Sequence, residues 1–284
     1  MVTPFKQGLL DEEGLRKNIR FLLTNDSQGI VACATTGESP SLSDDEFKRV
    51  ISIAVEECKG QVPVIAGAGT NSTKKTNKLI EMATNAGASA ALVVTPYYNK
   101  PTQKGLYEHY REVSLQSKIP IIIYNVPGRT GCNIQPKTVA RLADECENIV
   151  GIKEASGNLD QVSEIVRLCG SNFDILSGDD SLTFPMLALG AKGVISVVAN
   201  IFPADVSSMC SSFFSGDIAR ARKIHLKLFP VVKALFIETN PIPIKKAMEL
   251  MGMAAGKPRL PLVEMSEENT EVLKKVLTDY GVSL

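Results

Sequence analysis

The sequence predicts an α/β fold, a (β/α)8 TIM barrel with an appended C-terminal helical region. Seven short, near-continuous apolar runs recur along the chain. Their starts lie roughly 20 to 33 residues apart, the length of one strand plus a crossover helix. Unbroken apolarity implies strands covered on both faces, as in a parallel sheet. The stretches between the runs carry helix-start signals and helical periodicity. An eighth strand is expected at Met1-Val2, ahead of Thr3-Pro4-Phe5. Eight alternating units favour a closed barrel over a doubly wound sheet.

The seven runs begin at Gly29-Ile30-Val31-Ala32-Cys33-Ala34 and Val62-Pro63-Val64-Ile65-Ala66. They continue at Ala90–Val94, at Ile119–Tyr124, at Ile149–Lys153 and at Phe173–Ser177, and end with Gly193–Val198. Ser43-Asp44-Asp45-Glu46 reads as a capping box opening a helix with Phe47, Val50, Ile51, Ala54 and Val55 inward. Asn71-Ser72-Thr73 opens the next helix, and Gly87 stops it. Pro136 suits the first turn of another. After about residue 216 the strand-like runs cease and helical periodicity continues. The expected division is therefore a barrel over 1–216 and a helical region over 217–284. Asn240-Pro241-Ile242-Pro243 is expected to be a turn between helices, since proline does not suit a helix interior.

Composition narrows the function classes. The formal charge is zero, from 31 basic and 31 acidic residues, and no basic block points to nucleic acid or to an anionic membrane. No apolar stretch approaches a membrane span, and the first residues lack a secretory signal, so a cytoplasmic protein is expected. The six cysteines form no C-x-x-C pair and read as reduced thiols. His109 and His225 are the only histidines. Neither has a metal-ligand neighbour, so no metal site is expected.

The strand ends carry the chemistry. In a barrel they share one rim, where active sites lie. Lys153 closes the run Ile149–Ile152, where two readings stand side by side: a stem lying on apolar surface with its head in water, or a desolvated amine available as a nucleophile. The first run ends in Thr35-Thr36-Gly37-Glu38-Ser39 and the third in Thr95-Pro96-Tyr97-Tyr98-Asn99. The fourth ends in Tyr124-Asn125-Val126-Pro127-Gly128-Arg129-Thr130, and the sixth in Ser177-Gly178-Asp179-Asp180. Taken singly, each has a plain reading: a turn and cap, a strand aromatic, a rim ion pair. Together they suggest Schiff-base chemistry on a keto group. A tyrosine serves as proton carrier, Thr35-Thr36 hold a carboxylate, and Arg129 clamps a second one.

These motifs, together with Gly-Ile-Lys-Glu-Ala-Ser-Gly, Gly-Val-Ile-Ser-Val and Asn-Pro-Ile-Pro-x-Lys, resemble those of the 4-hydroxy-tetrahydrodipicolinate synthase (dihydrodipicolinate synthase) family. The match runs in order over nearly the whole chain. The resemblance implies condensation of pyruvate with L-aspartate 4-semialdehyde, without a cofactor, on the diaminopimelate route to lysine. It implies that Lys153 forms the Schiff base, that Tyr124 gives and takes the proton, and that Thr35 and Tyr98 complete the relay. Tyr98 would do so in a neighbouring subunit's site. It further implies that Thr36 holds the pyruvate carboxylate, that Ile195 offers backbone contacts, that Gly178 lies near the pocket, and that Arg129 binds the semialdehyde carboxylate. A homotetramer built as a dimer of dimers is implied as well.

Two departures from the family pattern carry expectations. Only Met1 and Val2 precede Thr3-Pro4-Phe5, so either the first strand is short or the start lies upstream, and its neighbours are expected to lose some ladder hydrogen bonds. Ser39, Asn71 and Tyr97 match the lysine-effector site of sensitive members. Pro40, Asp44, Phe47 and Lys75 do not, and a lysine at 75 repels the effector ammonium. Weak or absent inhibition by lysine is expected. The alternative activity is that of another pyruvate-dependent aldolase on the same scaffold, such as an N-acetylneuraminate lyase or a 2-keto-3-deoxy-sugar-acid aldolase. Those generally lack Tyr-Asn-Val-Pro-x-Arg.

Overall fold

The computed structural model describes residues 1 to 284. The chain opens with β1 (Phe5–Lys6), β2 (Leu9–Leu10), α1 (Glu12–Thr24), β3 (Ile30–Ala32), α2 (Asp44–Cys58) and β4 (Val64–Gly67). It continues through α3 (Thr73–Asn85), β5 (Ala90–Val94), α4 (Gln103–Gln116), β6 (Ile121–Asn125), α5 (Pro127–Thr130), α6 (Pro136–Glu145) and β7 (Ile149–Glu154). Then follow α7 (Leu159–Cys169), β8 (Asp174–Ser177), α8 (Thr183–Leu189), β9 (Gly193–Val194), α9 (Pro203–Phe214), α10 (Ile218–Ala234), α11 (Ile242–Leu250) and α12 (Glu267–Tyr280). Strands β3 to β9 pair in the order of the sequence, and β4 to β9 are parallel. This is an α/β fold of the TIM-barrel type, and its C-terminal region is helical, as expected. No helix is long and apolar enough to cross a membrane.

Two compact units make up the chain, residues 65–195 and residues 1–64 with 196–284. In the first, β5 and Ile121–Ile123 of β6 are apolar and almost wholly buried, as strands covered on both faces must be. Helix α3 starts where Ser72 accepts a hydrogen bond from the Lys75 N–H, and Gly87 follows its end at φ +90°. Helix α6 begins at Pro136, where a missing N–H costs nothing. The last strand is shorter than the apolar run implied. Only Gly193–Val194 pair as strand, and Ile195 adds one bond from its N–H to Ser177 O at 2.9 Å.

In the second unit, the capping box at Ser43 is present in full. Beyond Ile195 the apolar run turns into a short 3-10 helix over Val198–Asn200, held by Ser196 Oγ accepting from the Ala199 N–H. The expected first strand at Met1-Val2 is not a ladder strand. Met1 donates to Val31 O at 2.7 Å, but the Val2 N–H goes to the Asn200 side chain at 2.9 Å, and Pro4 has no N–H to give. Phe5 to Leu10 instead form a hairpin turned by Gln7 and Gly8, both at positive φ. Pro241 precedes α11, as expected of a turn. Pro243 lies within that helix's first turn, where its lack of an N–H is harmless.

Candidate active site

Lys153 sits near the carboxyl end of β7, is only 7% exposed, and pairs in register with Tyr124 on β6. Parallel register points both side chains to the same side of the sheet. Lys153 Nζ lies 4.3 Å from the centroid of the Tyr124 ring, and Tyr124 is itself buried. The phenol face thus forms one wall for the amine. Gly178 forms another. A β-carbon at this position would stand 2.9 Å from Lys153 Cε and 2.7 Å from Ala155 Cβ, so only glycine leaves the lysine room.

The strand ends are tied together beyond the regular ladder. The Gly178 N–H donates to Glu154 O at 2.8 Å, and the Ala155 N–H to Asn125 O at 2.9 Å. The bond from Ile195 to Ser177 O sets half-buried Ile195 beside Gly178, just past the ends of β9 and β8. Arg129 stands on α5, directly after β6, and is exposed. Tyr98 is 89% exposed with φ +73°, and its N–H reaches Thr130 O, at the end of the same helix, at 3.4 Å. Asn71 and the Tyr97 segment also come together, because Asn99 Nδ2 donates to Asn71 O at 2.9 Å.

Behind Lys153 lies a polar cluster that no strand-end motif points to. Glu154 is fully buried. Its carboxylate accepts from Asn125 Nδ2 at 3.0 Å, from Gln161 Nε2 at 3.1 Å and from the Ser156 N–H at 2.6 Å. Asn125 and Gln161 both also donate to Asn133 Oδ1. A buried carboxylate is tolerated where donors surround it, and here they lock the ends of β6 and β7 to the segment after Arg129. Polar residues directly following Tyr124 and Lys153, at positions an apolar strand does not need them, were the available signal.

The unit of residues 1–64 and 196–284 carries the remaining candidates. Thr35 and Thr36 lie in a 3-10 turn over Thr35–Gly37 directly after β3, and Ser39 opens a second over Ser39–Ser41. Between them Glu38 adopts φ +53° and is buried. Its Oε1 meets Lys245 Nζ of α11 at 2.6 Å, and its Oε2 accepts from the Arg259 N–H at 2.9 Å. Each side chain of that ion pair is 2% exposed. Burial pushes the Lys245 pKa down, and the Glu38 carboxylate opposes the shift. Phe5 lies 4.4 Å below the same ammonium. Asn240 Nδ2 donates to Thr36 Oγ1 at 3.0 Å.

A buried amine against a phenol, at the carboxyl edge of a parallel α/β sheet, is equipped for imine chemistry. Such an arrangement fits the class of Schiff-base-forming lyases. The comparison with known proteins narrows the class. The chain belongs to the dihydrodipicolinate synthetase family, whose model matches residues 1–280. It is 52% identical over 282 residues to the 4-hydroxy-tetrahydrodipicolinate synthase of Geotalea uraniireducens, covering 99% of this chain and 97% of that one. The corresponding enzyme of Methanothrix thermoacetophila is 54% identical over 280 residues, covering 98% of this chain and 94% of that one. The crystal structure of dihydrodipicolinate synthase from Aquifex aeolicus superposes with a TM-score of 0.98 at 51% identity, covering 100% of this chain and 97% of that one.

Proposed function

We propose that this chain condenses pyruvate with L-aspartate 4-semialdehyde to give 4-hydroxy-tetrahydrodipicolinate. The observation that carries the reading is the buried Lys153 amine 4.3 Å from the Tyr124 ring. The Lys153 amine attacks C2 of pyruvate, and the keto oxygen leaves as water. The imine loses a methyl proton to form an enamine. Its C3 attacks the aldehyde carbon of the second substrate, and the new alkoxide takes up a proton. The amine of that substrate then adds to C2 and expels Lys153 as the ring closes. Tyr124 passes the protons, with Thr35 and Tyr98 completing the relay. Thr36 holds the pyruvate carboxylate, Arg129 the semialdehyde carboxylate, and Ile195 and Gly178 line the pyruvate side.

Tyr98 acts in the site of a neighbouring subunit, so the working form is at least a dimer and by family resemblance a tetramer, located in the cytoplasm. Ser39, Asn71 and Tyr97 are the remnant of an effector site that Lys75 disables. Borohydride reduction in the presence of pyruvate tests the central step. The expected result is a covalent adduct on the peptide carrying Lys153, and an unmodified lysine overturns the reading. Turnover with aspartate semialdehyde, and not with N-acetylmannosamine or glyceraldehyde, fixes the second substrate.

A further inference from the structure

The segment Asn240-Pro241-Ile242-Pro243 has no part in the chemistry described so far. Its asparagine is buried, and its Nδ2 donates to Thr36 Oγ1 at 3.0 Å. A threonine hydroxyl has one proton to give and lone pairs to receive with. An amide N–H aimed at the oxygen occupies a lone pair, and the O–H proton must then turn to another partner. Both ends of this hydrogen bond are anchored by the same buried ion pair. Glu38 lies two residues after Thr36, and Lys245 lies on the helix that Asn240 and Pro241 lead into.

We propose that Asn240 is a positioning residue that presents the Thr36 hydroxyl as a hydrogen-bond donor to the substrate carboxylate. The inference rests on the reading of Thr36 given above. A carboxylate can only accept, so the direction of the hydroxyl decides whether it attracts or repels the ligand. Asn240→Asp keeps the shape and reverses the direction. The new carboxylate takes the Thr36 proton, and oxygen lone pairs then face the substrate.

Steady-state kinetics of Asn240→Asp and Asn240→Ser, each also combined with Thr36→Val, test this. The pyruvate KM is expected to rise about tenfold in each single variant, the scale of one charge-assisted hydrogen bond. The kcat at saturating pyruvate and the semialdehyde KM are expected to stay within about twofold, because the bond to the pyruvate carboxylate is lost equally from the ground and transition states. With Thr36→Val in place, changing Asn240 should leave the pyruvate KM unaltered. A merely structural role would instead lower the melting temperature, disturb kcat and both KM values, and add to the Thr36→Val loss. Either additive losses or an unchanged pyruvate KM in both single variants overturns the proposal. A wild-type chain that traps no pyruvate overturns the reaction itself. One that traps pyruvate normally while the Asn240 variants bind it equally well removes only the role of Asn240.

Discussion

A β-carbon on Gly178 would press on Lys153 Cε at 2.9 Å and on Ala155 Cβ at 2.7 Å. Real β-carbons do not approach so closely, so in Gly178→Ala one neighbour has to yield. Ala155 is short and its backbone N–H is bonded to Asn125 O, whereas the lysine stem can swing. The amine therefore moves, by about an ångström, and such a displacement of a reacting group costs about 100-fold in rate. Gly178→Ala should trap pyruvate under borohydride about 100-fold more slowly than wild type, with a stability loss of about 1–3 kcal/mol by thermal melting. Trapping at the wild-type rate would show that this glycine does not shape the lysine's surroundings.

The seam between α3 and α4 carries a titrating group of its own. His109 is 7% exposed, its Nδ1 is 2.9 Å from Thr73 Oγ1, and its buried Nε2 has no hydrogen-bond partner. Burial disfavours the imidazolium and pushes the pKa down from 6.5 to about 4. Between those values the unfolded chain binds a proton that the folded chain refuses. Stability is therefore full above pH 6.5 and is lost as the pH falls toward 4. Arg259 and Arg20 hold the Glu46 and Glu57 carboxyls at about 2, from an ordinary 4.5, so those groups weaken the fold only below about pH 4.5. Denaturant melts between pH 6.5 and 4.5 should show wild type losing about 2–3 kcal/mol more than His109→Gln. Parallel profiles for the two proteins would contradict the assignment.

Elements also show what was legible in the sequence. Buried parallel strands announce themselves as apolar runs, and Ser43-x-x-Glu46 and Pro136 mark helix starts by local chemistry. These strands, and with them the positions of Lys153 and Tyr124, were therefore readable. The Phe5–Leu10 hairpin was not, because its two-residue strands are too short to show alternation. The apolar run from Gly193 extends past the strand, since apolarity alone cannot tell a strand from the 3-10 turn that follows it. Asn240 and Thr36 are 204 residues apart, and one Glu154 oxygen accepts from Asn125, 29 residues away on another strand. No local pattern encodes such pairings.

For the whole molecule, the proposed role of Tyr98 in a neighbouring subunit's site can be tested on the assembly. Tyr98 is 89% exposed at φ +73°, and Lys100, two residues on, is at φ +44°. Side chains disfavour this left-handed backbone by about 1–2 kcal/mol, and it persists where surrounding structure imposes it. Here the constraint is visible in the hydrogen bonds of Tyr98 N–H to Thr130 O, of Asn99 N–H to Tyr97 O and of the Asn99 amide to Asn71 O. These bonds hold the Tyr98 ring out in solvent. That placement suits a relay that runs from each subunit into its neighbour's site. The proposed relay would make the two halves of a site separable by mutation. Lys153→Ala removes the amine from a subunit's own site, and Tyr98→Phe removes the hydroxyl donated to the partner. Each homo-oligomer should be nearly inactive. After the two are mixed and allowed to exchange, random pairing gives hybrids in which one site of two has both groups, and about a quarter of wild-type activity should return. Exchange can be followed by native mass spectrometry of the mixture. If hybrids form and activity stays at the sum of the parents, Tyr98 serves its own subunit or none, and the intersubunit relay is excluded.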